Sequence, residues 1–215
     1  MNKETKREIF RTFDIRGRYP IDLNEDTAAK IGFALGKMFP QSQKVVLGCD
    51  FREYSRKLLL PLISGLSAQG KKVYFLEQVP TEMLYFALGF FKFDLGIQIT
   101  ASHCDWEEVG MKISKKGVVP LDVGEIQTLK KEVEKVSFVY EGQKPFFEKL
   151  DVYSDYAKFV LDNIKNKKIK KKILLFSFGG SATKIAELIN KALAVDFKIV
   201  SLSQKELKNN APNPI

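Results

Sequence analysis

The sequence of 215 residues has few cysteines and histidines and no long hydrophobic run. Two cysteines, Cys49 and Cys104, cannot form the disulfide framework of a small secreted protein. The longest apolar stretches, 58–66 and 83–91, fall well short of the ~18 residues that a membrane span needs. No apolar stretch follows the charged start, so no secretory signal is predicted. These absences exclude a disulfide scaffold and predict a cytoplasmic protein without a membrane segment.

The composition is that of an ordinary globular protein, with 45% hydrophobic and 28% charged residues. The net charge of +9 suits an anionic partner, such as a phosphorylated metabolite, a nucleic acid or an acidic surface. Six of the 35 basic residues lie in one run, KNKKIKKK at 165–172, and without them the net charge is +9 − 6 = +3. We favour a solvated surface for this run over RNA binding, because no aromatic residues are interleaved for base stacking.

Strands and helices alternate along the chain, which predicts an α/β fold with a mixed, mostly parallel sheet and helices on both faces. The predicted helices are 25–39, 56–69, 82–92, 122–136, 153–165 and 181–194. The predicted strands are 44–48, 72–76, 95–101, 109–114, 118–119, 173–178 and 197–202, with 118–119 antiparallel to the strand before it. Asn24, Ser55 and Thr81 are predicted to cap the first three helices.

The segment FVYEGQKPFFEKL interrupts this alternation and predicts a linker. We therefore expect a first domain over 1–137, a linker over 138–152 and an incomplete second domain over 153–215. The second domain holds a single βαβ unit, which is marginally stable alone. We expect this unit to pack on the first domain or lack its remainder, with an uncovered sheet edge that favours self-association or a partner chain.

The stretch TASHCDWEEVGMK at 100–112 is the most informative, because α/β proteins bind ligands at the carboxyl ends of their strands. Ser102 is a candidate nucleophile or carrier of a transferred group. His103, the only histidine, stands next to it, and Lys112 on the following strand could reach an anionic group. Taken alone, a Ser-His pair in a loop favours ordinary turn chemistry over catalysis.

Two further stretches carry arginines. In FRTFDIRG, Arg16 could bind a phosphate through two hydrogen bonds, with Asp14 to orient it; taken alone, this stretch favours a surface ion pair. In GCDFREYS, Asp50 and Arg52 follow a predicted strand. For this second pair we favour an internal ion pair that shapes a loop.

Together these stretches resemble the α-D-phosphohexomutase superfamily, which includes the phosphomannomutases and phosphoglucomutases. The family motifs F-x-x-Y-D-I-R-G, G-x-D-x-R-x-x-S, P-T-P and T-A-S-H-N-P-x-x-Y-N-G-x-K correspond in order to residues 10–17, 48–55, 80–82 and 100–112. The resemblance covers the first predicted domain fully and the second in part, through ILLFSFGGSATKIAELI and the terminal APNP.

The resemblance implies reversible conversion of hexose 1-phosphate, of mannose or glucose, into hexose 6-phosphate through a bisphosphorylated sugar. By match, Ser102 is the phosphoserine that gives and takes back the phosphoryl group. Arg16, His103 and Lys112 would supply positive charge, and Lys112 would also act as general acid and base. A Mg²⁺ ion would be bound by an oxygen of the Ser102 phosphate.

The sequence also departs from the family pattern. Cys104-Asp105 replaces the family's Asn-Pro, and Glu108-Val109 replaces its Tyr-Asn. The family's metal loop, D-G-D-x-D-R, is absent, as are its sugar-selecting loop and its last, phosphate-binding domain. We therefore expect the N-terminal portion of a phosphohexomutase, completed by a C-terminal half or a homo-oligomer. The alternatives are a truncated or degenerate non-catalytic relative that binds sugar phosphates or a partner, and a nucleic-acid-binding module.

Overall fold

The computed structural model describes residues 8–164, 173–176, 180–193 and 197–200. Its strands are β1 Ile15–Arg18, β2 Lys44–Cys49, β3 Lys72–Gln78, β4 Leu95–Ile99, β5 Glu108–Lys115, β6 Val119–Pro120, β7 Glu148–Lys149, β8 Ile173–Phe176 and β9 Phe197–Val200. Its helices are α1 Glu25–Met38, α2 Glu53–Ala68, α3 Thr81–Phe90, α4 Val123–Lys135, α5 Tyr153–Asn163 and α6 Thr183–Leu193. The lysine run at 165–172 and the segment 201–215 lie outside the described residues.

Strands β1 to β7 form one mixed sheet in the order β1-β5-β4-β2-β3-β7, with β6 paired to β5. Strands β4, β2, β3 and β7 are parallel, whereas β5 is antiparallel to β4, β1 and β6. The parallel part brings the carboxyl ends of β2, β3 and β4 to one edge of the sheet. Strands β8 and β9 form a separate parallel pair. The predicted α/β fold with a mixed sheet is confirmed.

Helices cover both faces of the large sheet, as predicted. Helices α1, α2 and α4 contribute to one buried apolar cluster, and α3, α5 and α6 contribute to the other. The central strands β2 and β4 are buried almost along their whole length, as expected of strands covered on both faces. Helices α1 and α2 pack backbone against backbone, since a Cβ at Gly32 or Gly65 would collide with the main chain of the facing helix.

Of the three predicted N-cap residues, one is confirmed and two are wrong. Asn24 caps α1 through its side chain. Ser55 is instead a buried residue in the first turn of α2, because the Asp50 carboxylate accepts the N–H of Arg52 and starts the helix earlier. Thr81 is the first residue of α3 rather than its cap, and the preceding proline, already in extended conformation, holds the cap position.

Two short strands were not predicted from the sequence. Strand β1 lies within FRTFDIRG and pairs with β5, which adds an antiparallel strand at one edge of the sheet. Strand β7 lies inside the predicted linker 138–152 and pairs with β3. The predicted domain boundaries stay a prediction. No helix in the described ranges is long and apolar enough to cross a bilayer.

Candidate active site

Ser102 lies in the loop that leaves the carboxyl end of β4, and its side chain is exposed. Its backbone φ is +55°, a left-handed conformation that residues other than glycine rarely adopt. Strained residues of this kind cluster at functional sites, where the surrounding structure holds them in place. The Ser102 N–H donates to Thr100 Oγ1 at 3.1 Å, and Ser102 Oγ lies 3.3 Å from Nδ1 of His103. The two residues singled out in the sequence therefore stand within hydrogen-bonding reach of each other.

Arg16 reaches the same loop from strand β1, where it pairs with Gly110 of β5. Its Nε donates to Asp14 Oδ2 at 2.8 Å, so the expected contact between these two side chains is present. Its Nη1 donates to Cys104 Sγ at 2.7 Å, two residues beyond Ser102. Glycine is required at 110, because a Cβ there would collide with the carbonyl oxygen of Ile15.

Lys112 lies on β5, opposite Gln98 of β4 in the antiparallel register. Strand β5 begins at Glu108, where the loop that carries Ser102 ends. Within the described part of the chain, Lys112 Nζ makes no hydrogen bond or ion pair. It is therefore a half-buried basic side chain with no competing partner in these residues, on a strand that borders the loop.

Arg52, interpreted from the sequence as half of an internal ion pair that shapes a loop, has both roles in the structure. It is 1% exposed, and its Nε forms the ion pair with Asp50 Oδ2 at 4.0 Å. Its guanidinium also donates to four carbonyl oxygens of one loop, those of Ser102, Cys104, Asp105 and Glu108, at 3.3, 2.7, 2.6 and 3.3 Å. The loop that Arg52 shapes is therefore the one that carries Ser102, and no sequence pattern indicates which loop it is.

Asp50 supports the same loop from its other end. Its Oδ2 accepts the N–H of Ala101 at 3.2 Å, and its Oδ1 accepts the N–H of Arg52 at 3.0 Å. The Arg52 guanidinium also lies 5.5 Å from the centre of the Trp106 ring, within the range of a cation–π contact. Asp50 and Arg52, the buried polar residues that follow β2, thus bind the main chain just before Ser102, at Ser102 and after it.

The family domain described as "Phosphoglucomutase/phosphomannomutase, alpha/beta/alpha domain I" matches residues 7–140. The chain belongs to the phosphoglucomutase/phosphomannomutase family. A phosphomannomutase of Salmonella typhimurium is 33% identical over 98% of this chain and 48% of its own length. A phosphoglucosamine mutase of Prochlorococcus marinus is 29% identical over 94% of this chain and 46% of its own length. The chain spans about half the length of these curated relatives.

Solved structures share the fold. A phosphoglucomutase/phosphomannomutase family protein from Burkholderia thailandensis, 26% identical, superposes with a TM-score of 0.80 over 97% of this chain and 46% of its own. A structure from Thermus thermophilus has a TM-score of 0.87 at 21% identity, over 98% of this chain and 50% of its own, and shows the fold alone. The predicted resemblance to the phosphohexomutases is confirmed.

Cys104 stands where the family pattern has asparagine, and this family member uses it to contact Arg16. Burial raises the pKa of the Cys104 thiol, and the nearby Arg16 offsets this only in part. Burial raises the pKa of Cys49, which lies in the core, to about 12. Both thiols are therefore protonated at neutral pH, which does not favour a reactive cysteine here.

The predicted Mg²⁺ has an incomplete donor set in this family member. No group of three or more His, Cys, Asp or Glu side chains in the described residues is placed to hold a metal ion. Ser102, once phosphorylated, would offer oxygens on its own, so these residues do not form a metal site by themselves. The Mg²⁺ stays a prediction.

A cavity of about 800 Å³ lies at the same edge of the sheet but not at Ser102. It is lined by α2, the end of β3 and the beginning of α6, and its charged lining includes Arg56, Glu77 and Lys184. None of the predicted site residues lines it. The exposed Ser102 loop, rather than this cavity, therefore carries the candidate chemistry.

Proposed function

We propose that this chain carries out phosphoryl transfer between Ser102 and hexose phosphates. The reaction interconverts the 1-phosphate and 6-phosphate of mannose or glucose through a phosphoserine and a hexose bisphosphate. The observation that carries the proposal is the exposed Ser102 hydroxyl in left-handed backbone, with His103 Nδ1 at 3.3 Å and Arg16 bound to the same loop. Relatives named phosphomannomutase and phosphoglucosamine mutase support the same class of reaction.

In the proposed step, the bond between phosphorus and Ser102 Oγ breaks while a bond between phosphorus and a sugar hydroxyl oxygen forms. The Lys112 side chain accepts the proton of that hydroxyl as general base. The released Ser102 oxygen takes up a proton through the His103 ring, since Nδ1 is within reach. The reverse sequence, from the other phosphate of the bisphosphorylated sugar, restores the phosphoserine.

Arg16 has the geometry to bind the phosphoryl group during this transfer. Asp14 and Cys104 hold its Nε and Nη1, and its Nη2 makes no hydrogen bond within the described residues. The side chain is 27% exposed, so it is accessible to a ligand while its orientation is fixed. Phosphoryl transfer depends mainly on such positioning and charge stabilisation.

The proposal includes a partner and a location. Because the chain spans about half the length of its curated relatives, the rest of the cleft would come from a C-terminal half or a second copy of the chain. Mg²⁺ belongs to the proposal as an ion that would bind a Ser102 phosphate oxygen and stabilise negative charge. The two free cysteines fit a cytoplasmic location.

The test is covalent phosphorylation followed by turnover. The purified chain is incubated with glucose 1,6-bisphosphate or mannose 1,6-bisphosphate and Mg²⁺, and phosphate is located by mass spectrometry. We expect phosphate on Ser102 in the wild type and in Ser137→Ala, an exposed serine outside the loop, and none in Ser102→Ala. Absence of phosphate on wild-type Ser102 contradicts the proposal. Conversion of the 1-phosphates, primed with bisphosphate, then identifies the preferred sugar.

A further inference from the structure

We propose that Arg52 is the positioning residue of the site: its buried guanidinium holds the loop 102–108 in the shape that presents the Ser102 hydroxyl. The use of Ser102 in phosphoryl transfer rests on the proposed function above. The shape of the loop rests on the contacts alone. Arg52 itself touches no substrate in this proposal, because it lies beneath the loop and is 1% exposed.

One planar group ties the two ends of the loop together. The first carbonyl that Arg52 binds is that of Ser102, and the last is that of Glu108, the first residue of β5. Between them it also binds two further carbonyls, at 2.7 and 2.6 Å. The loop between β4 and β5 therefore folds around a single side chain that belongs to another element, at the start of α2.

The same contacts explain how Ser102 keeps its strained conformation. The N–H before it, on Ala101, is held by Asp50 at 3.2 Å, and its own N–H is held by Thr100 at 3.1 Å. Its carbonyl is held by Arg52 at 3.3 Å. A residue with φ of +55° relaxes unless the peptide groups on both sides are fixed. Arg52 supplies the fixation on the carboxyl side.

Arginine suits this task and lysine does not. A guanidinium carries five N–H donors in one rigid plane, so it can serve several acceptors spread along a loop. A lysine ammonium offers three donors from a single atom and cannot serve four separated carbonyls. The four carbonyl oxygens and the Asp50 carboxylate, 4.0 Å from Nε, together compensate this buried charge.

The first experiment measures the loop and does not depend on activity. Amide hydrogen exchange is compared in the wild type, Arg52→Lys and Arg56→Lys, the last being an exposed arginine one helical turn further along α2. We expect at least tenfold faster exchange in the peptide 101–108 in Arg52→Lys alone, with circular dichroism like that of the wild type. Unchanged exchange in this peptide overturns the proposal.

Chemical rescue separates positioning from general stability. In Arg52→Ala, we expect millimolar guanidinium chloride to slow exchange in the loop toward the wild-type rate, whereas equal methylammonium chloride does not. A guanidinium ion can reproduce the planar donors, and methylammonium cannot. If Arg52→Ala does not fold, Arg52→Lys alone decides. Equal effects of the two salts overturn the proposal.

The second experiment measures the consequence for Ser102. The rate of Ser102 phosphorylation at saturating hexose 1,6-bisphosphate is expected to fall at least tenfold in Arg52→Lys and to stay unchanged in Arg56→Lys. Equal rates in Arg52→Lys and the wild type overturn the positioning role. If wild-type Ser102 takes up no phosphate, the proposed function fails instead, and hydrogen exchange alone decides whether Arg52 holds the loop.

Discussion

The outer and inner sides of the Ser102 loop are built in different ways. On the outer side, Ser102 and His103 are exposed, and the hydrogen bond between them is long, at 3.3 Å. On the inner side, Arg52 and Asp50 are buried: the Arg52 guanidinium donates to four carbonyl oxygens of the loop, and the Asp50 carboxylate accepts the backbone N–H of Ala101. Side chains on the outer side are therefore available to a ligand, while the inner side fixes where they stand.

This difference has an energetic meaning. Hydrogen bonds to buried groups are expensive to break, since the partner left behind is unsatisfied and away from water. Contacts between exposed charges are screened by solvent and contribute little. Substitutions on the inner side are therefore expected to lower stability, and those on the outer side to lower phosphoryl transfer while leaving stability nearly unchanged.

The largest effect is expected for Arg52→Met. The substitution keeps an apolar stem but leaves four loop carbonyls without their donor. The free energy of unfolding should fall by about 3–5 kcal/mol, measured by urea denaturation. Arg56→Met, on the exposed side of the same helix, should change it by about 0.5 kcal/mol or less. Equal losses in the two variants would remove the distinction between the inner side and the surface.

A smaller loss is expected for Asp50→Asn. The carboxylate accepts two backbone N–H groups, one through each oxygen, and an amide can accept only through its single oxygen. The free energy of unfolding should fall by about 1–3 kcal/mol in the same assay. The control is Asp26→Asn, whose exposed pair with Lys30 on α1 is worth about 0.5 kcal/mol. If Asp50→Asn unfolded at the same urea concentration as the wild type, the role of Asp50 in holding the Ala101 N–H would be contradicted.

On the outer side, Arg16→Gln should separate stability from phosphoryl transfer. The free energy of unfolding should change by about 1 kcal/mol or less, because the lost ion pair with Asp14 is partly exposed. Ser102 phosphorylation should slow on the order of a hundredfold, because a charge that stabilises the transferring group is lost. Arg11→Gln, another exposed arginine, should leave both unchanged. If Arg16→Gln lowered the free energy of unfolding but left Ser102 phosphorylation unchanged, the role of Arg16 would be structural, like that of Arg52 and Asp50.

The smallest effect is expected in the reactivity of the two cysteines toward a disulfide reagent. Cys104 is half-buried beside Arg16 and Cys49 is buried in the core, so a disulfide reagent should titrate one thiol in the native protein and two after unfolding. Because burial raises the pKa of both thiols, the thiolate fraction at pH 7 is below that of an ordinary cysteine. The native reaction should therefore accelerate as pH rises beyond 9 and vanish in Cys104→Ala. Two reactive thiols at pH 7 would contradict the burial of Cys49.

Much of this site was predictable, and the unpredicted parts share a cause. The motif TASH placed Ser102 and His103 after a strand, and the sheet edge follows from the α/β alternation. Arg52 was recognised as internal, but its acceptors are main-chain carbonyls about 50 residues along the chain. Carbonyl groups have no sequence signature, since every residue carries one. Strands β1 and β7 are four and two residues long, too short for an alternation of apolar residues to be visible.

By itself, the sequence determined the alternation of strands and helices, the cap at Asn24 and the family to which the chain belongs, because these depend on side-chain type and local spacing. The tertiary structure decided where α2 begins, which loop Arg52 supports and which cysteine meets Arg16. Those features depend on distances between segments that are remote in sequence. Folding of the sheet and its two apolar clusters brings these segments together. Local propensity carries no information about such distances, so the conformation of Ser102 became visible only in the folded chain.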